Sequence, residues 1–384
     1  MFIIPKKDGS VWWVSDFREL NKVIQQRIYP LPHILDILKR HPGYSFFSKL
    51  DVSMQYFTFE LDVESQRLCV ISTPFGLYKY KRLPMGIKQS SDIAQEVMEN
   101  LFCDYDNVEI YIDDIGCFSS NYSTHIKTLD IILTCLEQNR FTVNPAKCKW
   151  AVKETDWLSY WFTPTGFKPW SKKINAVVAM QAPINIKQVR SFIGTVTYYR
   201  DMWPQRSHIL APSTNLTGRG TFKWNSIHQQ AFDTMIALMV EDVLLWYPDH
   251  NLPFQKNTDA SDYQLGSVIL QQDIPVAYYS LKLSIAKQNY TTIEKELLSV
   301  VETLRNYRSM LLGADIHIYT DHCNLTFNTL STQRVLCWRL FIEEFHPTFY
   351  YIKGTDNVVA DALSRLPIKA SVEEEKIQPN VDLE

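Results

Sequence analysis

Short apolar and polar runs alternate through the first part of the chain. Val108-Glu109-Ile110 and Ile115-Gly116-Cys117-Phe118 flank Tyr111-Ile112-Asp113-Asp114, which predicts a β-hairpin with the acidic pair at its turn. Neighbouring strand side chains point to opposite faces, so only a bend lets both carboxylates approach one spot. Upstream, Ile3-Ile4-Pro5 and Trp12-Trp13-Val14 read as two strands around a basic turn at Lys6 and Lys7, and a helix is expected near residues 33–40. The apolar run from Tyr44 reads as a strand ending on Asp51; Phe57, Phe59 and Leu61 then alternate into a second strand. Ser90 or Ser91 is the expected N-cap of a helix with Ile93, Ala94, Val97, Met98 and Leu101 on one face. Ile126, Leu129, Ile132, Leu133 and Leu136 mark the core face of a helix near 122–139. With further strands at 141–148 and 157–162, this is an α+β unit with a mostly antiparallel sheet.

The later pattern differs. Helices are expected from Ile174 to Met180, Ile186 to Arg200 and Ile227 to Val240, with a boundary loop near 214–220. Strands follow from Phe254 to Asp259, Gln264 to Gln272 and Val276 to Ser280, then a long helix from about Tyr290 to Leu311. Strands from Ile316 to Asp321 and Phe349 to Lys353 precede a helix through Asp361, which suggests an α/β layer fold. The tail after Pro367, with Glu373-Glu374-Glu375, reads as a disordered linker.

Composition narrows the class. A chain of 384 residues with 46% hydrophobic and 21% charged residues is an ordinary globular sequence of two or three domains. The formal net charge of -3 means that any nucleic-acid surface must be a local basic patch. Seven scattered cysteines without a Cys-x-x-Cys pair point to buried thiols rather than disulfides or a zinc site. No apolar run is long enough for a membrane span, and the N-terminus lacks a signal-peptide core. The chain opens in a strand, which suggests that upstream sequence is missing.

Two carboxylates held at one turn need a compensating cation, and Mg²⁺, which takes a few carboxylates plus substrate phosphates, is suited to that. A lone Asp-Asp pair is more often a surface turn. Asp51 at a strand end is a candidate third ligand, or simply a cap. Lys6 and Lys7 at a hairpin tip could reach a triphosphate, although lysine turns are usually just solvated. Gly86 in Leu83-Pro84-Met85-Gly86 allows close approach of backbone to a flat ligand, or serves a strand-to-helix turn.

Taken in order and spacing, Asp51, Leu83-Pro84-Met85-Gly86 and Tyr111-Ile112-Asp113-Asp114 resemble the palm motifs of reverse transcriptases. Asp16-Phe17-Arg18-Glu19-Leu20-Asn21 resembles their fingers motif, and Gly194 with Tyr198-Tyr199-Arg200 is similar to the connection of the gypsy-like (Metaviridae) LTR-retrotransposon group. Thr258-Asp259-Ala260-Ser261, Lys295-Glu296-Leu297-Leu298, Tyr319-Thr320-Asp321-His322 and the stretch from Asn357 through Asp361 to Arg365 resemble the RNase H domain of the same Pol polyproteins.

The resemblance implies a right-hand polymerase with fingers and palm at 1–168, thumb and connection at 169–250, and an RNase H-like domain at 251–367. The function it implies is RNA-directed DNA synthesis from dNTPs on a primed RNA or DNA template, plus nuclease action on RNA in RNA–DNA hybrids. Two Mg²⁺ ions per site, or Mn²⁺, would be held by Asp51, Asp113 and Asp114, and by Asp259, Glu296, Asp321 and Asp361. Lys6, Lys7, Tyr56 and Gly86 would contact the nucleotide. Trp157, Leu158 and Tyr160 would grip the primer, although an aromatic hairpin is more often core. Helical geometry does not choose between Glu294 and Glu296; the resemblance chooses Glu296. An intracellular setting, cytoplasmic in a virus-like particle and/or nuclear, is expected, and a homodimer stays open. Relatives usually carry an arginine at the position of Trp12 and often one at Leu281. The alternative reading is a truncated or decayed remnant that binds nucleic acid.

Overall fold

The computed structural model describes residues 2–5, 9, 11–25, 27–218, 221–241, 243–321 and 332–352. Packing divides the chain into two compact units, Met1–Met180 with Val240–Asp249, and Gln181–Met239 with His250–Glu384. Residues 181–239 of the expected thumb and connection thus pack with the second unit.

In the first unit, β1 (Phe2–Pro5) pairs with β2 (Val11–Val14), and α1 (Arg18–Val23) and α2 (Ile34–Lys39) lead to β3 (Phe46–Ser53). Next come α3 (Val63–Leu68), the hairpin of β4 (Val70–Thr73) and β5 (Gly76–Lys79), and α4 (Ser90–Phe102). The hairpin of β6 (Val108–Tyr111) and β7 (Asp114–Ser119) follows, then α5 (Tyr122–Gln138), β8 (Thr142–Val143) and β9 (Lys149–Val152). The main sheet is antiparallel in the order β6-β7-β3-β8, with β9 also on β3.

Strand alternation gives this sheet two apolar faces. Leu50, Val52, Ile115 and Cys117 pack under Met98 of α4 and Ile132 of α5. On the other face Phe47 and Phe118 meet Trp157 of a second antiparallel sheet, formed by β10 (Thr155–Trp157), β11 (Tyr160–Phe162), β12 (Gly166–Pro169) and β13 (Leu245–Trp246). Helix α6 (Ser171–Val178) follows β12.

Several expectations for this unit need correction. Phe57, Phe59 and Leu61 do not form a strand: Met54 takes a left-handed φ of 53° and the chain leaves the sheet through a 3₁₀ turn, Gln55–Thr58. Strand β3 runs two residues past Asp51, to Ser53. Gln89 precedes α4 as its N-cap, and the Ser90 hydroxyl instead donates to the Pro84 carbonyl at 3.0 Å. On α5, Ile126 and Leu133 are 45% and 41% exposed. His125 takes the inner place, its Nε2 2.8 Å from the Ser48 hydroxyl.

The second unit begins with α7 (Ile186–Tyr198), α8 (Arg206–Ile209), α9 (Ala211–Asn215) and α10 (Ser226–Val240). Then come β14 (Phe254–Ala260), β15 (Gln264–Gln271), β16 (Ile274–Lys282), α11 (Ile285–Gln288), α12 (Thr292–Asn306), α13 (Arg308–Leu311), β17 (Ile316–Thr320), α14 (Gln333–Glu343) and β18 (Thr348–Tyr351). The sheet order is β16-β15-β14-β17-β18; the first three strands are antiparallel, and β17 and β18 add in parallel. Helices α12 and α14 supply Leu297, Val300, Leu304 and Ile342 to the core, which contains Phe254, Ile316 and Ile318 of the sheet. The long helix expected to Leu311 breaks at Tyr307, whose buried hydroxyl donates to the Tyr278 carbonyl at 2.7 Å. The expected helix through Asp361 and the tail lie outside the described residues.

Candidate active sites

The β6–β7 hairpin turns in two residues, Ile112 and Asp113, because Tyr111 pairs with Asp114. In β3, Asp51 is the Cα partner of Asp114. The Val52 N–H donates to the Asp113 carbonyl at 2.9 Å, which ties the turn to β3. Asp51, Asp113 and Asp114 are therefore brought to one end of adjacent strands. Ile112 has a φ of 55°. A left-handed β-branched residue costs of order 1–3 kcal/mol, and the surrounding structure must hold it there.

The cluster is short of positive charge. Burial, reinforced by Asp113 and Asp51, pushes the Asp114 carboxyl up to about 6, against the pull of Lys49 and Lys147. Asp113 is also raised, first by burial and then by Asp51, while its own backbone N–H and Lys147 act the other way. Lys147 Nζ lies 3.1 and 3.0 Å from the two Asp51 oxygens. Its ammonium is held charged above the usual lysine range, chiefly by that hydrogen bond. Lys49, on the same face of β3 as Asp51, is engaged by Asp156 at 2.8 Å.

Two of the three carboxylates are pushed toward neutrality and the third is paired with an ammonium; carboxylate oxygens are the donor type that a hard divalent ion takes. Among the described residues no group of three or more His, Cys, Asp or Glu side chains is arranged, as it stands, to hold a metal ion. An open cluster suits Mg²⁺, which keeps waters and substrate phosphates among its ligands. Lys147 is the residue that the sequence reading missed: it lies 96 positions from Asp51, and no local pattern marks it.

The other expected nucleotide contacts are placed as follows. Tyr56 lies on the 3₁₀ turn after β3, its hydroxyl 3.3 Å from Ser91 Oγ. Gly86 has a φ of 95°, and its carbonyl accepts from Asn21 Nδ2 at 2.8 Å, so the Leu-Pro-Met-Gly turn is fastened to α1. Lys6 and Lys7 lie outside the described residues. Trp157 and Tyr160 are both 2% exposed, so their rings serve the core. Gly116 makes room for the Trp157 ring: a Cβ there would lie 2.7 Å from it. The turn of that hairpin, Leu158 and Ser159, is half-buried, with both residues at left-handed φ.

In the second unit, the parallel register pairs Asn257 with Tyr319. Two residues further on, Asp259 and Asp321 come at the same end of neighbouring strands. Glu296 of α12 is 4% exposed, and its Oε1 accepts from the Ala260 N–H at 3.1 Å, next to Asp259 in the chain. Glu294 is used differently: it closes a capping box with Thr291 at the start of α12. This gives a physical basis for separating the two glutamates. Asp361 lies outside the described residues.

Comparison with known proteins adds a family context. Residues 4–162 match the model of the reverse transcriptase (RNA-dependent DNA polymerase) family, and residues 224–318 match the RNase H-like domain found in reverse transcriptase. The chain is 32% identical to the retrovirus-related Pol polyprotein from transposon opus of Drosophila melanogaster, over 96% of this chain and 39% of that protein. It is 30% identical to the transposon Tf2-3 polyprotein of Schizosaccharomyces pombe, over 95% of this chain and 29% of that protein. It thus spans well under half the length of these relatives. A foamy viral protease-reverse transcriptase in complex with double-stranded DNA has a similar fold, with a TM-score of 0.82 at 24% identity, over 91% of this chain and 64% of that one. The same foamy viral enzyme with an RNA/DNA hybrid gives a TM-score of 0.80 at 22% identity, over 98% of this chain and 52% of that one.

Proposed function

The chain belongs to the reverse transcriptase and RNase H region of gypsy-like LTR-retrotransposon Pol polyproteins, and from that premise we propose that it extends a primer with dNTPs on an RNA or DNA template and cuts the RNA of RNA–DNA hybrids. One observation carries the polymerase reading: β3 and β7 pair Asp51 with Asp114, and the turn adds Asp113. Asp51, Asp113 and Asp114 would hold the two Mg²⁺ ions. When bound, such a pair stabilises the attacking 3′-oxygen and the leaving pyrophosphate of an in-line displacement.

The protein's own part is placement and electrostatics. The strand pairing fixes the carboxylates before substrate arrives. Lys147 neutralises Asp51 until the site fills. Tyr56 limits the space beside the sugar and so disfavours a 2′-hydroxyl, and Gly86 lets backbone approach the incoming base pair. Lys6 and Lys7 would face the triphosphate as point charges. The Leu158–Ser159 turn, rather than the rings of Trp157 and Tyr160, would meet the primer.

In the nuclease unit, Asp259, Glu296, Asp321 and Asp361 would hold the cations that activate water against the RNA backbone. The hybrid would be recognised by shape and by its 2′-hydroxyls. Primer extension on an RNA template, run beside cleavage of labelled hybrid RNA, tests both assignments. Extension is expected to vanish in Asp113→Asn with cleavage retained, and cleavage to vanish in Asp259→Asn with extension retained. Loss of neither activity in these variants overturns the assignment.

A further inference from the structure

Both backbone polar groups of Ile112 are answered by buried side-chain amides from other elements. Its N–H donates to Gln95 Oε1 at 2.6 Å, and its carbonyl accepts from Gln55 Nε2 at 2.9 Å. Gln95 is 0% exposed and Gln55 2%. Gln95 lies on α4, in the helix that follows the Leu83–Gly86 turn, and its Nε2 also donates to the Ile110 carbonyl at 2.9 Å and to Glu99 Oε1 at 2.6 Å. Glu99 in turn accepts from the Tyr29 hydroxyl at 2.5 Å. Gln55 opens the 3₁₀ turn that follows the strand of Asp51.

The chemistry of these contacts is selective. At position 95 one side chain must accept from an N–H and donate to a carbonyl at once, which an amide does and a carboxylate does not. A glutamate there would also put a second carboxylate against Glu99. Gln55 Oε1 is buried with no hydrogen-bond partner among the described residues. A buried acceptor left unsatisfied opposes stability, so the residue is in place for its donor. Ile112 is β-branched and left-handed, a conformation that relaxes unless both of its backbone groups are held.

We propose that Gln95 and Gln55 are positioning residues for nucleotide addition: they lock Ile112 in its left-handed turn and thereby set Asp113 against Asp51. This rests on the polymerase reading of the carboxylate cluster. Neither glutamine need touch substrate; each acts through the turn.

The test uses the full chain and isosteric changes, Gln95→Met and Gln55→Met. Hybrid-RNA cleavage by the second unit and the melting temperature serve as fold controls. Each variant is expected to lower kcat for nucleotide addition by about 10–100-fold while KM for dNTP moves less than about threefold, since misplacement of a reacting group acts on the transition state. Adding Ile112→Gly to Gln95→Met should recover at least about fivefold of that loss, because glycine adopts the left-handed turn without help. A merely structural glutamine gives no such rescue, and extension and cleavage then fall together. Unchanged kcat in both variants, or parallel loss of both activities without rescue, overturns the proposal. Should the unaltered chain extend no primer, the polymerase reading fails separately. The lock is then read from Mn²⁺ binding by electron paramagnetic resonance, expected to weaken by about tenfold in Gln95→Met, with unchanged binding overturning it.

Discussion

Asp51 and Asp114 face each other as Cα partners across β3 and β7, and the burial of Asp114, reinforced by Asp113 and Asp51, makes stability sensitive to pH. Burial and its neighbours raise Asp114 from 3.8 to about 6. Between those values the folded state keeps a proton that the unfolded chain releases, so stability is lost as pH rises through this window. Asp114→Asn should flatten that slope and stabilise the chelated protein at pH 7.5 by on the order of 2 kcal/mol. Thermal melts in EDTA at low and neutral pH check this.

On the proposed reading a divalent ion would take the same Asp51 oxygens that Lys147 holds. Lys147→Met should therefore tighten Mg²⁺ binding severalfold while lowering the melting temperature of the chelated protein, where Asp51 loses the ammonium that is bonded to it. The pair is partly solvent-exposed, so the effect should shrink with added salt. Calorimetric Mg²⁺ titration of both proteins measures it; equal affinities would contradict the competition.

How much of this was legible beforehand differs from residue to residue. The acidic hairpin was readable because apolar alternation on both sides left only four residues for the turn. The left-handed Ile112 was not, since such turns usually announce themselves with Gly, Asn or Asp. The alternation of Phe57, Phe59 and Leu61 misled because a spacing of two over five residues does not distinguish a strand from an irregular turn. Trp157 and Tyr160 carry the same pattern whether they face a primer or a core; their burial and, for Trp157, the close approach of Gly116 tell the two apart. Lys147 carries no local signal at all.

Glu294 and Glu296, two residues apart on α12, should separate stability from chemistry. Glu294→Ala removes one half of a capping box and should cost about 1 kcal/mol with hybrid cleavage unchanged. Glu296→Gln should abolish cleavage and leave the melting temperature within a few degrees. The reverse pattern would reassign the nuclease acid.

Lys256 of β14 is 1% exposed, and its amine has no hydrogen-bond partner among the described residues. Burial lowers its pKa well below the usual lysine value, with Glu296 pulling the other way. The folded state thus sheds a proton that the unfolded chain keeps, so stability from this group rises with pH toward the ordinary lysine value. Lys256→Met should stabilise the protein at pH 7 by about 1–3 kcal/mol and remove that rise, as urea unfolding at pH 7 and pH 9.5 will show.

The proposed function requires one spatial relationship: Asp51 and the Asp113–Asp114 turn would share a bound cation. Replacing Mg²⁺ with Fe²⁺ and ascorbate, then mapping where hydroxyl radicals cut the chain, reads this directly. Cuts are expected beside residue 51 and beside residues 113–114 at the same Fe²⁺ concentration, both suppressed by Mg²⁺ and both lost in Asp113→Asn. Cutting at one segment alone, or cuts that persist in that variant, would contradict it.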